Sequence, residues 1–141
     1  MHIVLDTNEL VRALMRPSNL ATFIMAWQSA RFSVVASQAL LAEYEYVLAE
    51  PLIASAISHE SLRAFHSYLI HNIECIETPH IAPICRDPDD DKVIAIAISA
   101  KVDYLITQDS DLLTTDILHI LNQYGVSVTT IDKFIALLDR K

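Results

Sequence analysis

The chain has 141 residues, 52% of them hydrophobic, a formal charge of −8 at pH 7 and a single glycine, Gly125. A chain of this size and apolar content can bury a substantial core, which excludes intrinsic disorder and favours one domain over residues 1–141. No apolar run reaches the roughly 20 residues that cross a bilayer, no secretory leader is visible, and two cysteines are too few for a disulfide framework, so we expect a cytoplasmic protein that does not enter membranes.

Short apolar strands alternate with amphipathic helices along the chain. The predicted elements of the first half are a strand over 2–5, helical spacing from Leu10 to Leu14, a helix from the Ser18 cap to about residue 30, a strand over 32–36, a helix from the Ser37 cap to about residue 49 that Pro51 ends, and a helix from Ser58 to 73. The second half predicts a strand over 74–77, a helix that starts in the acidic run 87–90 and continues through the buried stretch 93–100, a strand over 104–107, a helix over 117–124 ended by Gly125, a strand over 126–130 and a helix over 132–138. This alternation is typical of an α/β domain with a mostly parallel sheet covered on both faces.

Two acids follow predicted strands. Asp6 comes directly after the first strand, and Asp109 follows the strand over 104–107. Open parallel sheets bind ligands beyond the carboxyl ends of their strands, so we expect Asp6 and Asp109 to share a functional site.

Two acids on predicted helices can join this pair. Glu43 shares a helix face with Leu40 and Tyr44, and a carboxylate on such an apolar stripe calls for a partner. Asp91 lies in the first turn of the buried helix, where the helix dipole favours negative charge. Carboxylates 4 Å apart repel by about 4 kcal/mol at an effective dielectric of 20, so four of them predict a cation site. Oxygen ligands alone favour Mg²⁺ or Mn²⁺, which suits hydrolysis of phosphate esters by metal-activated water.

These acids lie in four sequence blocks: residues 5–8 (LDTN), 37–48 (SQALLAEYEYVL), 86–97 (RDPDDDKVIAIA) and 103–113 (DYLITQDSDLL). In order and spacing the blocks resemble a PIN domain and, more narrowly, the VapC-type toxins of type II toxin–antitoxin systems. The resemblance implies a three-layer α/β/α sandwich with a five-stranded, mostly parallel sheet. It also implies a Mg²⁺- or Mn²⁺-dependent endoribonuclease that leaves a 3′-hydroxyl and a 5′-phosphate.

Carried over position by position, the resemblance assigns the catalytic, metal-binding acids to Asp6, Glu43, Asp91 and Asp109. The positions expected to support them are Thr7, Asn8, Thr107, Asp111 and Asp90. Within the acidic run, Asp87, Asp89 and Asp90 remain alternatives for assisting Asp91. The chain departs from the toxin pattern at Gln108, where glycine is usual, and a side chain there is expected to narrow access for the RNA backbone.

The negative charge is concentrated near the predicted site. Residues 87–116 contain eight acids against Lys92 and Lys101. A charge of −8 alone argues against binding by phosphate neutralisation, but bound divalent cations partly invert the local field. We therefore expect weak RNA binding without metal, with rim contacts from Arg12, Arg16, Arg86 and Lys92.

Three interpretations of the function remain open. The first is a toxin with an RNA substrate and a cognate antitoxin protein, and the second is an RNA-processing nuclease that is not a toxin. The third is a catalytically inactive module that binds RNA or protein. The apolar helix faces over 20–27 and 62–73 are candidates for contact with an antitoxin or for a homodimer.

Overall fold

The computed structural model describes residues 1–78 and 91–140. Its five strands are β1 (His2–Leu5), β2 (Ser33–Ala36), β3 (Glu74–Cys75), β4 (Tyr104–Ile106) and β5 (Ser127–Thr129). They form one parallel sheet in the order β3-β2-β1-β4-β5. The predicted five-stranded parallel sheet is therefore confirmed, and the strand order reverses between β1 and β4, where a ligand site is expected.

The helices of the described residues connect these strands. They are α1 (Thr7–Leu14), α2 (Pro17–Gln28), α3 (Gln38–Leu48), α4 (Pro51–Ala56), α5 (His59–Asn72), α6 (Asp91–Ala100), α7 (Thr115–Gln123) and α8 (Ile131–Asp139), with a short 3-10 helix at Ser110–Leu112. The Ser37 and Ser58 hydroxyls accept backbone N–H groups at the starts of α3 and α5, as predicted. Gly125 follows α7 with a positive φ of 75°, which confirms its predicted place at the helix end.

The predicted Ser18 cap is wrong, and Pro51 has a different role from the predicted one, although α3 ends within a residue of its predicted end near 49. Ser18 does not cap α2, because that helix begins one residue earlier with Pro17 at its first position. Pro51 likewise occupies the first position of α4 after α3 has ended at Leu48. Both prolines suit these positions, since the first residue of a helix needs no N–H for an internal hydrogen bond. The predicted helix start at 87–90 lies outside the described residues.

Helices cover both faces of the sheet. Ile3, Val4 and Leu5 of β1 are at most 1% exposed, and successive side chains of a strand point to opposite faces, so neither face is open to water. The α6 helix packs against β1 and β2, and its residues Val93 to Ala97 are all buried. The α1, α2 and α8 helices contact one another. This arrangement confirms the three-layer α/β/α sandwich and places β1 and β4 at its centre.

No helix among the described residues has the length and apolar character that a membrane crossing needs.

Candidate active site

Thr107 joins the two acids that follow β1 and β4. The backbone N–H of Asp6 donates to the carbonyl of Ile106 at 3.0 Å, which fixes the end of β1 against β4. The Thr107 hydroxyl donates to Asp6 Oδ2 at 3.0 Å and accepts the backbone N–H of Asp109 at 3.0 Å. Thr107 is only 1% exposed, so water does not replace either bond. One buried side chain therefore holds Asp6 and Asp109 together at the point where the strand order reverses.

The Asp109 carboxylate is also fixed by its own loop. Its Oδ1 accepts the backbone N–H of Asp111 at 2.9 Å, which caps the short 3-10 helix Ser110–Leu112. Asp111, predicted as a supporting acid, thus orients Asp109 through its main chain.

Glu43 approaches the same edge from α3. Thr7 Oγ1 donates to Glu43 Oε1 at 2.6 Å, and Lys92 Nζ forms an ion pair with Glu43 Oε2. The neighbouring Tyr44 is fully buried, and its hydroxyl donates to the carbonyl of Leu5, the residue before Asp6. Tyr44 thereby anchors α3 to the end of β1, and Thr7 links Glu43 to the residue that follows Asp6. Lys92 was predicted as a rim contact for RNA, but its ammonium group forms an ion pair with the Glu43 carboxylate.

Burial and nearby negative charge both raise the pKa of Asp6. Asp6 is 7% exposed, and burial is the main cause that raises its pKa above the ordinary aspartate value. The Thr107 hydroxyl and the Thr7 backbone N–H oppose this increase, whereas the negative charges of Asp109 and Glu43 add to it. An uncompensated negative charge at Asp6 is therefore costly in the folded protein.

The other predicted site residues lie at the start of α6 and on α1. Asp91 is the first residue of α6 and is half-buried, next to Lys92. Asn8 is exposed in the first turn of α1. The predictions for Asp87, Asp89, Asp90 and Arg86 fall outside the described residues.

The donor chemistry of Asp6 and Asp109 fits a hard divalent cation. Within residues 1–78 and 91–140, no three histidine, cysteine, aspartate or glutamate side chains form a group able to hold a metal ion. Mg²⁺ is commonly bound by one or two carboxylates together with water molecules, and Asp6 and Asp109 provide such a pair. A cation beside them would offset the repulsion that contributes to the raised pKa of Asp6.

Sequence reasoning missed Glu9, which is 1% exposed. Glu9 Oε2 accepts the backbone N–H of Ile131 at 2.7 Å, and Glu9 Oε1 lies 3.3 Å from Arg12 Nε. Burial raises the pKa of Glu9, while the Ile131 N–H and the Arg12 charge oppose the increase. The signal was available, because Glu9 stands four residues before the buried Ala13 and so interrupts an apolar stripe just as Glu43 does.

Two of the predicted rim cations on the N-terminal segment have different partners. Arg16 Nη1 contacts Asp132 Oδ1 at 2.9 Å, an oxygen that also accepts from Asn19. Arg12 Nη1 donates instead to Gln108 Oε1 at 2.6 Å. Gln108 therefore directs its amide to an arginine, an interaction that the sequence did not indicate.

Comparison with known families agrees with the observed fold. A family model described as a PIN domain matches residues 2–111, a range that contains Asp6, Glu43, Asp91 and Asp109. Comparisons with curated proteins and with solved structures gave no match.

Proposed function

The chain belongs to the PIN domain family, whose members are generally nucleases, and on this premise we propose that it is a Mg²⁺- or Mn²⁺-dependent endoribonuclease. The observation that carries the proposal is the Thr107 bridge, which keeps Asp6 and Asp109 adjacent at the carboxyl edge of the sheet. A nuclease that uses a divalent cation needs closely spaced oxygen donors. Holding two acids close together destabilises the folded protein, so their proximity indicates a function and not a structural need.

Each acid has a distinct role in this proposal. Asp6 and Asp109 would hold the cation. Asp91, at the start of α6, would be a further ligand by the family resemblance, since the described residues place no third acid with this pair. Glu43 is a ligand or orients the attacking water, with Thr7 fixing its carboxylate. When bound, the divalent cation polarises a phosphate oxygen and makes water a better nucleophile. Thr107 and Tyr44 act as positioning residues, because both fix the main chain or the carboxylate at the end of β1.

The narrower proposal is that the nuclease is the toxin of a type II toxin–antitoxin system in the cytoplasm. Its basis is the agreement of the four sequence blocks in order and spacing. Its partners would be an RNA substrate and a cognate antitoxin, and the apolar helix faces over 20–27 and 62–73 are the candidate surfaces for the antitoxin or a homodimer.

Cleavage of end-labelled single-stranded RNA by the purified chain tests the nuclease. We expect cleavage with Mg²⁺ or Mn²⁺, loss of cleavage in EDTA, and products with a 5′-phosphate, because water and not the RNA 2′-hydroxyl attacks. Asp6→Asn and Asp109→Asn should each lower kcat/KM by roughly 100-fold or more, as for loss of a group that acts in the transition state. Asp116→Asn is the matched control, since it makes the same change at an exposed position on α7.

The outcomes separate the alternatives. Full activity of Asp6→Asn would contradict the site assignment. Mn²⁺ binding without cleavage by the wild-type protein would support the inactive binding module, and neither binding nor cleavage would refute the metal-dependent nuclease.

Expression in a bacterial host tests the toxin. We expect growth arrest that Asp6→Asn abolishes and that co-expression of a small neighbouring gene relieves. An active nuclease that causes no arrest would support the RNA-processing interpretation.

A further inference from the structure

Arg12 is held at two points beside the candidate active site. It lies in the last turn of α1 with its side chain 47% exposed, and its Nε is 3.3 Å from Glu9 Oε1. Its Nη1 donates to Gln108 Oε1 at 2.6 Å. Gln108 is the residue between Thr107 and Asp109, so this bond fixes the guanidinium at the carboxyl edge of β4.

The inner end of this chain of contacts is buried and hydrogen-bonded. Glu9 is 1% exposed, and its Oε2 accepts the backbone N–H of Ile131 at the start of α8. Its carboxylate is thus shared between Arg12 and the first turn of another helix. A side chain with both an inner and an outer anchor loses less conformational entropy when it binds a ligand than a freely rotating one.

Arg12 retains hydrogen-bonding capacity after these contacts. A guanidinium has five N–H donors in a planar fork, of which one faces Glu9 and one is used by Gln108. Within residues 1–78 and 91–140 the other three donors of this exposed side chain have no partner, and the fork geometry matches phosphate oxygens. Gln108 orients the group through a neutral amide, so among the described residues the carboxylate paired with Arg12 is that of Glu9 on its own helix.

The other two rim cations of the described residues are engaged differently. Lys92 pairs with the carboxylate of Glu43, and Arg16 pairs with that of Asp132. At either cation a phosphate would compete with a carboxylate on another element, whereas the carboxylate paired with Arg12 lies on its own helix. Arg12 can bind an acceptor without breaking either of its contacts.

We propose that Arg12 binds a phosphate of the RNA backbone beside the acids, and that Gln108 and Glu9 are the positioning residues that hold it there. This inference rests on the proposed function, because it takes RNA as the ligand. It also reverses the expectation for Gln108, whose side chain supports substrate binding and does not merely narrow access.

Binding of a fluorescent single-stranded RNA of mixed sequence, measured by anisotropy at several KCl concentrations, tests the proposal. All variants are made in the Asp6→Asn full chain with Mg²⁺, so that affinity is measured without turnover. Arg12→Ala should weaken binding about 10-fold and reduce the slope of log K against log salt by about 0.7, the value for one phosphate contact on a single strand. Arg63→Ala, which removes the same charge from the exposed face of α5, should stay within about twofold of the parent.

Gln108→Gly distinguishes positioning from obstruction. Loss of positioning should weaken binding roughly threefold to fivefold with the salt slope unchanged, since the charge remains. The double variant should bind like Arg12→Ala alone, because Gln108 acts through Arg12. Arg12→Lys keeps the charge but lacks the fork, so it should retain the slope and recover only part of the affinity.

Several results would overturn the proposal. The proposal is wrong if Arg12→Ala binds RNA as tightly as Arg63→Ala. It is also wrong if Gln108→Gly binds RNA as tightly as the parent or more tightly, or if the effects of Arg12→Ala and Gln108→Gly on affinity are additive in the double variant. Thermal melts of each variant show whether it is folded. If Arg12→Ala is unfolded, the RNA affinity of Arg12→Lys tests the role of the guanidinium. Failure of the nuclease proposal is separate, since it appears as absent divalent-dependent cleavage by the wild-type chain whatever the binding results.

Discussion

Replacing Thr107 by valine tests the bridge between the two central acids. The substitution keeps the branched shape of the side chain and removes only the hydroxyl. Asp6 Oδ2 then loses the donor at 3.0 Å, and the Asp109 N–H loses its acceptor at 3.0 Å. Because Thr107 is 1% exposed and Asp6 is 7% exposed, water has little access to replace these bonds.

The magnitude follows from the two bonds and the added methyl group. Loss of a hydrogen bond to a charged carboxylate costs about 1.5–3 kcal/mol, and loss of a neutral bond costs about 0.5–1.5 kcal/mol. The additional buried methyl group returns about 0.8 kcal/mol. The net loss is about 1–4 kcal/mol, which lowers the Tm of a domain of this size by roughly 4–16 °C. Since the hydroxyl orients proposed metal ligands, kcat/KM should also fall roughly 10- to 100-fold.

Circular-dichroism melts and RNA cleavage with saturating Mg²⁺ measure the two effects. Thr107→Ser is the control, because it keeps the hydroxyl and removes only the methyl group, and it should keep most of the activity. The reasoning is refuted if Thr107→Val melts and cleaves like the wild type. It is also refuted if Thr107→Ser loses as much activity as Thr107→Val, since packing of the methyl group would then explain the result.

Three further predictions concern the energetics of the fold. The raised pKa of Asp6 means that its ionised form costs folding free energy, a cost absent below the ordinary value of 3.8 and present once the pH exceeds the folded-state pKa. In EDTA at pH 8, Asp6→Asn should therefore melt higher than the wild type, with the difference disappearing towards pH 4; a lower or pH-independent Tm would contradict this sign. Tyr44→Phe leaves the Leu5 carbonyl without its buried donor and should cost about 1–3 kcal/mol in urea denaturation, whereas an unchanged midpoint would show that the bond contributes nothing. Gly125→Ala should cost about 1 kcal/mol because its φ is 75°, although an added Cβ meets no atom within 4 Å; Gly125→Asn should lose less, and equal losses would point to a cause other than backbone conformation.

The sheet could be predicted because its strands have a local signal. The run Ile3-Val4-Leu5 is apolar at successive positions, which indicates a strand buried on both faces, and the structure has all three residues at most 1% exposed. Helix caps were predicted where a serine side chain alone decides the boundary, as at Ser37 and Ser58. The predicted cap failed at Ser18, where Pro17 determines the start of α2, and the helix that begins at Pro51 was not predicted.

The positions of the acids were easier to predict from the sequence than the residues that form hydrogen bonds or ion pairs with them. Asp6 and Asp109 have a local signal, since each follows a strand. The Thr107 bond to Asp6 joins residues 101 positions apart, and the Glu9 bond to Ile131 joins residues 122 positions apart. No periodicity within one element encodes such pairings, because they depend on how strands and helices are ordered in space. The ion pair of Lys92 with Glu43 likewise depends on how the helices are placed in space. Lys92 was predicted to contact RNA because of its charge, and in the structure that charge is paired within the protein.

This pairing of charges also refines the meaning of the net charge of −8. The predicted rim cations that the structure describes are all paired with carboxylates: Lys92 with Glu43 and Arg16 with Asp132 on other elements, and Arg12 with Glu9 on its own helix. Their attraction for a distant phosphate is therefore reduced. Under the proposed function, a divalent cation at Asp6 and Asp109 and the guanidinium of Arg12 would supply the local positive charge. The guanidinium would bind the backbone, while the cation would act at the phosphate that is cleaved. Affinity and catalysis would then depend on different groups, which is why the Arg12 and Asp6 variants are expected to change different measured quantities.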